Sequence, residues 1–207
     1  MKVLLINGSP HKEGCTYTAL TEVAKELNAN GIETEIFHIG TNPVRGCIGC
    51  GACSKLGKCA FDDDVVNELA AKVKEADGYV FGSPVHYAAI SGAMSCIMDR
   101  LFYSAGAAMR FKPAAGVCSA RRAGTTASYD QLNKYIGINR MISVPSQYWN
   151  MGHGAKAEDV RKDEEGLQIM RTIGMNMAWM LKVLDNAKRN GIEIPEQEAG
   201  IKTNFVK

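Results

Sequence analysis

The sequence predicts an α/β fold, a doubly wound five-stranded parallel sheet with helices on both faces, an α/β/α sandwich. Three observations predict it. Short β-rich apolar runs alternate with stretches of helical period along the chain. Three of those runs stop abruptly, at Gly8-Ser9-Pro10, at Ser83-Pro84 and at Ser119, as strands do where they hand over to loops. Finally, 207 residues with 46% apolar and 22% charged side chains suit one ample globular domain, and no repeat or low-complexity linker divides it. The expected organisation is a single domain over 1–207, with a cysteine-loop insertion at 41–61 and a tail from about 191.

Lys2–Asn7 is a continuous apolar run and reads as a buried first strand. From Thr16 to Asn28, Leu20, Val23, Ala24 and Leu27 form a helical stripe that Asn30-Gly31 ends. Ile32–Ile39 alternates as a second strand. Asp62-Asp63-Asp64 supplies an acidic helix start before Val65, Val66, Leu69 and Val73. Gly78–Gly82 is the third strand, Ser91–Tyr103 a helix, Ala114–Ser119 the fourth strand, Thr125–Ile136 a helix and Met141–Val144 the fifth strand. One long helix is expected from about Glu158 to Arg189, with Leu167, Met170, Ile173, Met177, Met180, Leu181 and Leu184 on a broad apolar face. That face predicts a homodimer or homotetramer.

A net charge of +2 suits neither a nucleic-acid binder nor a trap for acidic substrates. The first residues are too short an apolar run for a signal peptide, and no stretch approaches the roughly 20 apolar residues of a membrane helix. No membrane partner and a cytoplasmic location are therefore expected, where disulfides are rare and clustered thiols serve metal or redox chemistry. Cys96 and Cys118 read as small buried apolar residues.

In a doubly wound sheet, ligands sit at the carboxyl ends of strands near the topological switch point. Three loops lie there. The first, Gly8–Thr18, offers hydroxyls at Ser9, Thr16 and Thr18 and the free N–H groups of a helix start, which suit a phosphate dianion. It has neither the Gly-Lys-Ser/Thr of a Walker loop nor G-x-G-x-x-G, so a single terminal phosphate such as that of FMN fits better than a pyrophosphate. An ordinary Ser/Thr-capped turn is the plain alternative. The second loop begins Ser83-Pro84-Val85-His86-Tyr87 and the third runs Ser119-Ala120-Arg121-Arg122-Ala123-Gly124. A frequent Ser-Pro turn, a solvated His86 and a solvent- or subunit-facing arginine pair are their plain readings. Trp149 and Asn150 are candidates for covering the pocket or for a dimer seam.

Cys47, Cys50, Cys53 and Cys59 follow the spacing C-x2-C-x2-C-x5-C, interleaved with Gly49 and Gly51. Glycine readily takes φ > 0, so such a loop folds back and turns several sulfurs toward one centre. Three cysteines spaced by two recur in ferredoxin loops holding [4Fe–4S] clusters, and here the fourth is near enough to close the site. Zinc is the main rival, although its ribbons use two well-separated C-x2-C pairs. Free thiols are the third reading. The acidic run at Asp62 needs no metal to explain it.

Asn7-Gly8-Ser9-Pro10, Gly82-Ser83-Pro84-Val85-His86-Tyr87, Gly92, Asp99-Arg100 and Gly57-Lys58-Cys59 together resemble the flavodoxin-like NAD(P)H-dependent FMN reductases. With the four-cysteine loop included, the chain looks most like the iron–sulfur flavoproteins of that group. The resemblance covers residues 1 to about 154 and, more loosely, the rest. His11 stands where relatives often carry Arg, Cys15 where they carry Asn or Ser, and His86 where Tyr is usual. The resemblance implies FMN contacts from Ser9, Pro10, His11, Cys15, Thr16, Tyr17 and Thr18. It implies further contacts from Ser83, Pro84, Val85 and His86 on the pyrimidine side, and from Ser119, Arg121, Arg122 and Gly124 along the ring. Arg121 and Arg122 at a strand end would favour negative charge on a reduced flavin.

The expected function is an FMN-dependent electron-transfer oxidoreductase with a [4Fe–4S] cluster, working with NAD(P)H or a one-electron carrier such as ferredoxin. No catalytic triad or paired carboxylates are required. Two alternatives stand beside it: an NAD(P)H-dependent FMN or quinone reductase without a working cluster, and a non-catalytic flavin-binding electron carrier or redox sensor.

Overall fold

A computed structural model describes residues 1–205. In chain order its elements are β1 (Lys2–Asn7), α1 (Cys15–Ala29), β2 (Glu33–His38), α2 (Cys53–Leu56), α3 (Val66–Glu75), β3 (Gly78–His86) and β4 (Ala89–Ile90). There follow α4 (Gly92–Ala105), β5 (Pro113–Ala120), α5 (Thr125–Ile138), β6 (Ile142–Ser143), β7 (Met151–His153), α6 (Ala157–Val160) and α7 (Glu164–Arg189). The main sheet runs β2-β1-β3-β5-β6, parallel throughout. This is the flavodoxin-like order, with the switch point where the chain leaves β1 for β2 on one side and β3 on the other.

The pleat divides the apolar side chains into two cores. Leu4, Ile6, Tyr79, Phe81 and Ala114 face α3, α4 and α5, where they meet Leu69, Ile97, Leu101 and Leu132. Val3, Leu5, Val80, Ala115 and Val117 face α1 and α7, against Leu20, Val23, Ile173 and Met177. Burial on both faces is why these strands read as unbroken apolar runs.

Three expectations are corrected. The third strand does not stop at Gly82 but continues to His86 and folds back as the antiparallel hairpin partner of β4. A short seventh strand pairs Met151–His153 with Cys118–Ala120, a pairing too brief and glycine-rich to show as alternation. The long helix from Glu158 is interrupted. Asp163 caps α7 by accepting from Gly166 N–H (3.0 Å), and its other oxygen accepts His153 N–H at 2.6 Å, so the chain turns there instead of continuing from α6. On α7, Met170, Ile173, Met177 and Leu181 are buried, while Leu167, Met180 and Leu184 lie half-buried at the rim.

A cavity of about 500 Å³ lies at the opposite, amino-terminal end of the sheet, between the end of α7 and the segment 192–195. Its half-buried cation, Lys112, donates to Ala76 O (2.6 Å) and Tyr79 Oη (3.3 Å), so the protein itself satisfies it. Among the described residues no helix is long and apolar enough to cross a membrane.

The two helices of the α1/α7 face touch at Gly174, where a Cβ would sit 2.6 Å from Glu26 Cβ and 3.0 Å from the Val23 carbonyl. Gly174→Val is expected to force them apart and lower the unfolding free energy in urea by about 1–3 kcal/mol, the usual cost of overpacking. An unchanged midpoint would mean that α7 is free to shift.

Candidate functional site

The parallel register brings the three strand-end loops to one edge. Asn7 lies opposite Gly82, Ser83 opposite Cys118 and Pro84 opposite Ser119. Short hydrogen bonds then lace the loops together. Gly8 N–H donates to Gly82 O (2.8 Å), Ser91 Oγ–H to Gly8 O (2.8 Å) and Ser91 N–H to Ser83 Oγ (3.0 Å). Any Cβ at Gly8 would lie 2.8 Å from the Gly82 carbonyl, so only glycine allows this approach.

In the first loop, buried Ser9 donates its N–H to Asn7 Oδ1 and accepts His11 N–H at Oγ, both at 3.1 Å. Asn7 Nδ2 reaches Lys12 O, and His38 Nε2 lies 2.8 Å from Ser9 O. Pro10 and His11 are exposed, and Tyr17 is half-buried. Helix α1 starts with no side-chain cap, which leaves its first-turn N–H groups to an external acceptor. The hydroxyls are less free than the sequence suggested. Thr16 Oγ1 pairs with Ser119 Oγ at 2.7 Å, both residues buried, and Thr18 Oγ1 donates back to Gly14 O. Cys15 donates Sγ–H to Gly154 O (3.5 Å), and burial pushes its thiol pKa up.

In the second loop, Pro84 and Val85 are half-buried and His86 is exposed. Tyr87 and Ala88 form the two-residue turn to β4 with φ of 50° and 58°. Such positive values at both positions are those of a type I′ turn, ordinarily built from Asn and Gly. Tyr87 is fully exposed at the tip. The third loop leans on this hairpin: a Cβ at Gly124, whose φ is +94°, would sit 2.9 Å from both Ala88 Cα and Val85 Cγ1. Arg121 and Arg122 project into solvent. Trp149 is half-exposed, whereas Asn150 is buried and braces the backbone by accepting Cys118 N–H at its carbonyl.

The four loop cysteines ring a second, smaller cavity of about 150 Å³, closed by Ile48, Phe61, Tyr103 and Arg100 among others. All four thiols are free. Gly49 and Gly51 take φ of 66° and 68°, the left-handed values that fold the loop around the cavity. One helical turn, α2, carries Cys53. Among the described residues no three His, Cys, Asp or Glu side chains converge as ligands of one ion. The four cysteines instead line the wall of this cavity.

The partners of several residues here were not visible in the sequence. Asp64, read only as part of an acidic helix start, accepts Val66 N–H and pairs with Arg100, while Asn67, Ser91 and Asp163 secure loop backbone from inside a helix or at its start. Only the cap positions of Asp64, Ser91 and Asp163 were readable in principle.

Replacing the turn by Tyr87→Asn with Ala88→Gly is expected to raise the unfolding free energy by about 1–2 kcal/mol, by removing left-handed strain from residues with a Cβ. A fall in stability would show that the tip is not strained. The thiols are expected to differ in iodoacetamide labelling of metal-stripped native protein. Cys47 and Cys50 are exposed and label first, whereas Cys118, wholly buried with a thiol pKa pushed up to about 12, labels only after unfolding. Peptide mass spectrometry reads the order.

The chain is similar to known proteins over most of its length. Residues 1–156 match the family described as NADPH-dependent FMN reductase. An iron–sulfur flavoprotein of Methanocaldococcus jannaschii is 34% identical over 192 residues, spanning 89% of this chain and 99% of that one. Among solved structures, RosB with a bound 8-demethyl-8-formylriboflavin-5'-phosphate intermediate superimposes with a TM-score of 0.71 at 15% identity, covering 100% of this chain and 92% of RosB. A flavodoxin from the domain Archaea gives 0.59 at 13% identity, covering 88% and 99%. The chain belongs to the NADPH-dependent FMN reductase family and is an FMN-dependent oxidoreductase.

Proposed function

We propose that this chain is an iron–sulfur flavoprotein that relays electrons between NAD(P)H, or a one-electron carrier such as ferredoxin, and an acceptor. FMN is assigned to the edge formed by the loops after β1, β3 and β5. A [4Fe–4S] cluster is assigned to Cys47, Cys50, Cys53 and Cys59. The observation that carries the reading is the cavity of about 150 Å³ lined by all four of these cysteines.

When bound, a flavin takes electrons in pairs and releases them singly, while a cluster passes one at a time. The chain's own residues do the rest. The uncapped start of α1 and the O–H of Ser9 would hold the phosphate. Backbone from Ser83 to His86 runs extended beside the place of the ring, and Gly124 lets the third loop close on it. Arg121 and Arg122 set positive charge at the same edge, which favours a reduced, anionic ring. Self-association belongs to the same reading. Along one side of α7, Met175, Trp179 and Val183 are exposed four residues apart, an apolar stripe that a second copy of the chain would cover.

The decisive experiment is iron and acid-labile sulfide analysis of anaerobically purified protein, with EPR after reduction. Four irons and four sulfides per chain are expected of such a cluster. Cys50→Ser is expected to abolish the cluster's visible absorbance and leave FMN bound. Near-zero iron in the unmodified chain would sink the cluster assignment and favour a plain NAD(P)H-dependent FMN or quinone reductase. Reduction of the bound flavin by NADH or NADPH separates either enzyme from a passive carrier.

A further inference from the structure

Cys59 differs from the other loop cysteines in being held from two sides. Its N–H donates to Asn67 Oδ1 (2.9 Å), and Asn67 Nδ2 returns to Cys59 O (3.0 Å) and Phe61 O (3.1 Å). Arg100, on α4 and only 2% exposed, donates its Nε–H to Cys59 Sγ at 3.2 Å. Its terminal nitrogens donate to Arg45 O (3.2 Å), to Phe61 O (3.1 Å) and to the carboxylate of Asp64, an ion pair with both side chains buried. One guanidinium thus ties the entry of the cysteine loop at Arg45 to its exit at Cys59–Asp64. Cys47 and Cys50, by contrast, are exposed.

A buried cation is costly to desolvate, and its pairing with Asp64 at best offsets that cost. Clamping the loop ends needs only the two carbonyls and the carboxylate. The Nε–H aimed at sulfur is additional, and it puts a fixed positive charge and a donor on one prospective cluster ligand.

We propose that Arg100 is a positioning residue that sets the reduction potential of the cysteine-loop cluster through its Nε–H contact to Cys59 Sγ. The inference rests on the cluster assignment above. On reduction the cluster gains one electron and hence one negative charge, with no bond made and no proton moved. A cation and an N–H donor at a ligand sulfur favour that reduced state, and burial keeps the interaction unscreened. Asp64 acts with the opposite sign.

The test is a dithionite titration of the anaerobic holoprotein followed by EPR, in which dithionite supplies the electron. Iron content and the unfolding midpoint are measured alongside. Arg100→Gln combined with Asp64→Asn removes both charges, leaves no orphaned buried ion and is expected to lower the midpoint potential. Asp64→Asn alone leaves the cation unopposed and is expected to raise it. Opposite shifts at unchanged iron content support the inference, because a merely structural clamp would lower iron loading or stability without moving the potential by sign. Unmoved potentials, or shifts in the same direction, overturn it while the cluster assignment stands. If the double variant takes up no iron, Arg100→Lys decides: it keeps the positive charge opposite Asp64 and lacks the Nε–H, so a lowered potential supports the inference and an unchanged one overturns it. An unmodified chain without iron overturns both readings together.

Discussion

Everything at the functional edge depends on the parallel pairing of β1, β3 and β5. Parallel strands need crossovers, and each crossover carries the chain over one face and back, so every strand delivers its carboxyl end to the same edge. Here that edge is drawn tighter than pairing alone requires. The Gly8–Gly82 bond and the Ser91 Oγ–H bond to Gly8 O join the first and second loops, Ser91 N–H closes the second loop on Ser83 Oγ, and the Thr16–Ser119 pair joins the first helix to the fifth strand. A ligand meets loops already bound to one another, so little of its binding energy is lost in ordering them.

The cysteine loop is built on a different principle. It leaves the sheet after β2, and its apolar anchors are confined to Val44 and Cys59 near its ends, since Ile48 and Leu56 are exposed. Its ends are fastened also by polar groups: Asn67 holds Cys59 and Phe61, and Arg100 holds Arg45, Phe61 and Asp64. Arg45 also stacks over the Phe61 ring at 4.3 Å. Apolar packing is non-directional, whereas a planar guanidinium with fixed donors specifies angles. For the proposed task of presenting four sulfurs to one cluster, that directionality would be worth more than net stability.

Legibility in the sequence follows the same division. The strands and most helices were readable because burial on one or both faces imposes period on composition. The strand-end loops were readable because parallel topology fixes their location whatever they contain. The four cysteines announced themselves by type and spacing. What escaped was pairwise and non-local. Nothing near Arg100 shows that it reaches a sulfur supplied 41 residues earlier. Thr16 looked like a phosphate ligand because its partner, Ser119, lies 103 residues away. The break before α7 was hidden for a related reason. Asp163 sits in an amphipathic pattern, and its role as a cap depends partly on His153 N–H from the short strand β7.

The contrast between the two sites also bears on what completes each. Fixing a residue's backbone costs roughly 1–2 kcal/mol, and a typical internal hydrogen bond returns about 0.5–1.5 kcal/mol. At the strand ends, the sheet and the interlocking bonds meet that cost without a ligand. Between Cys47 and Gly51 the loop is exposed, and the contacts that steady it are concentrated at its ends. Its order there must come chiefly from left-handed glycines that permit the bend and from whatever the sulfurs hold. A group bonded to all four thiols would fix the middle of the loop directly, whereas one bound at the strand-end edge would leave it unchanged. Loss of the proposed cysteine-bound group would therefore loosen Cys47–Gly51 first and spare the strand-end loops, because the two are fastened by different bonds.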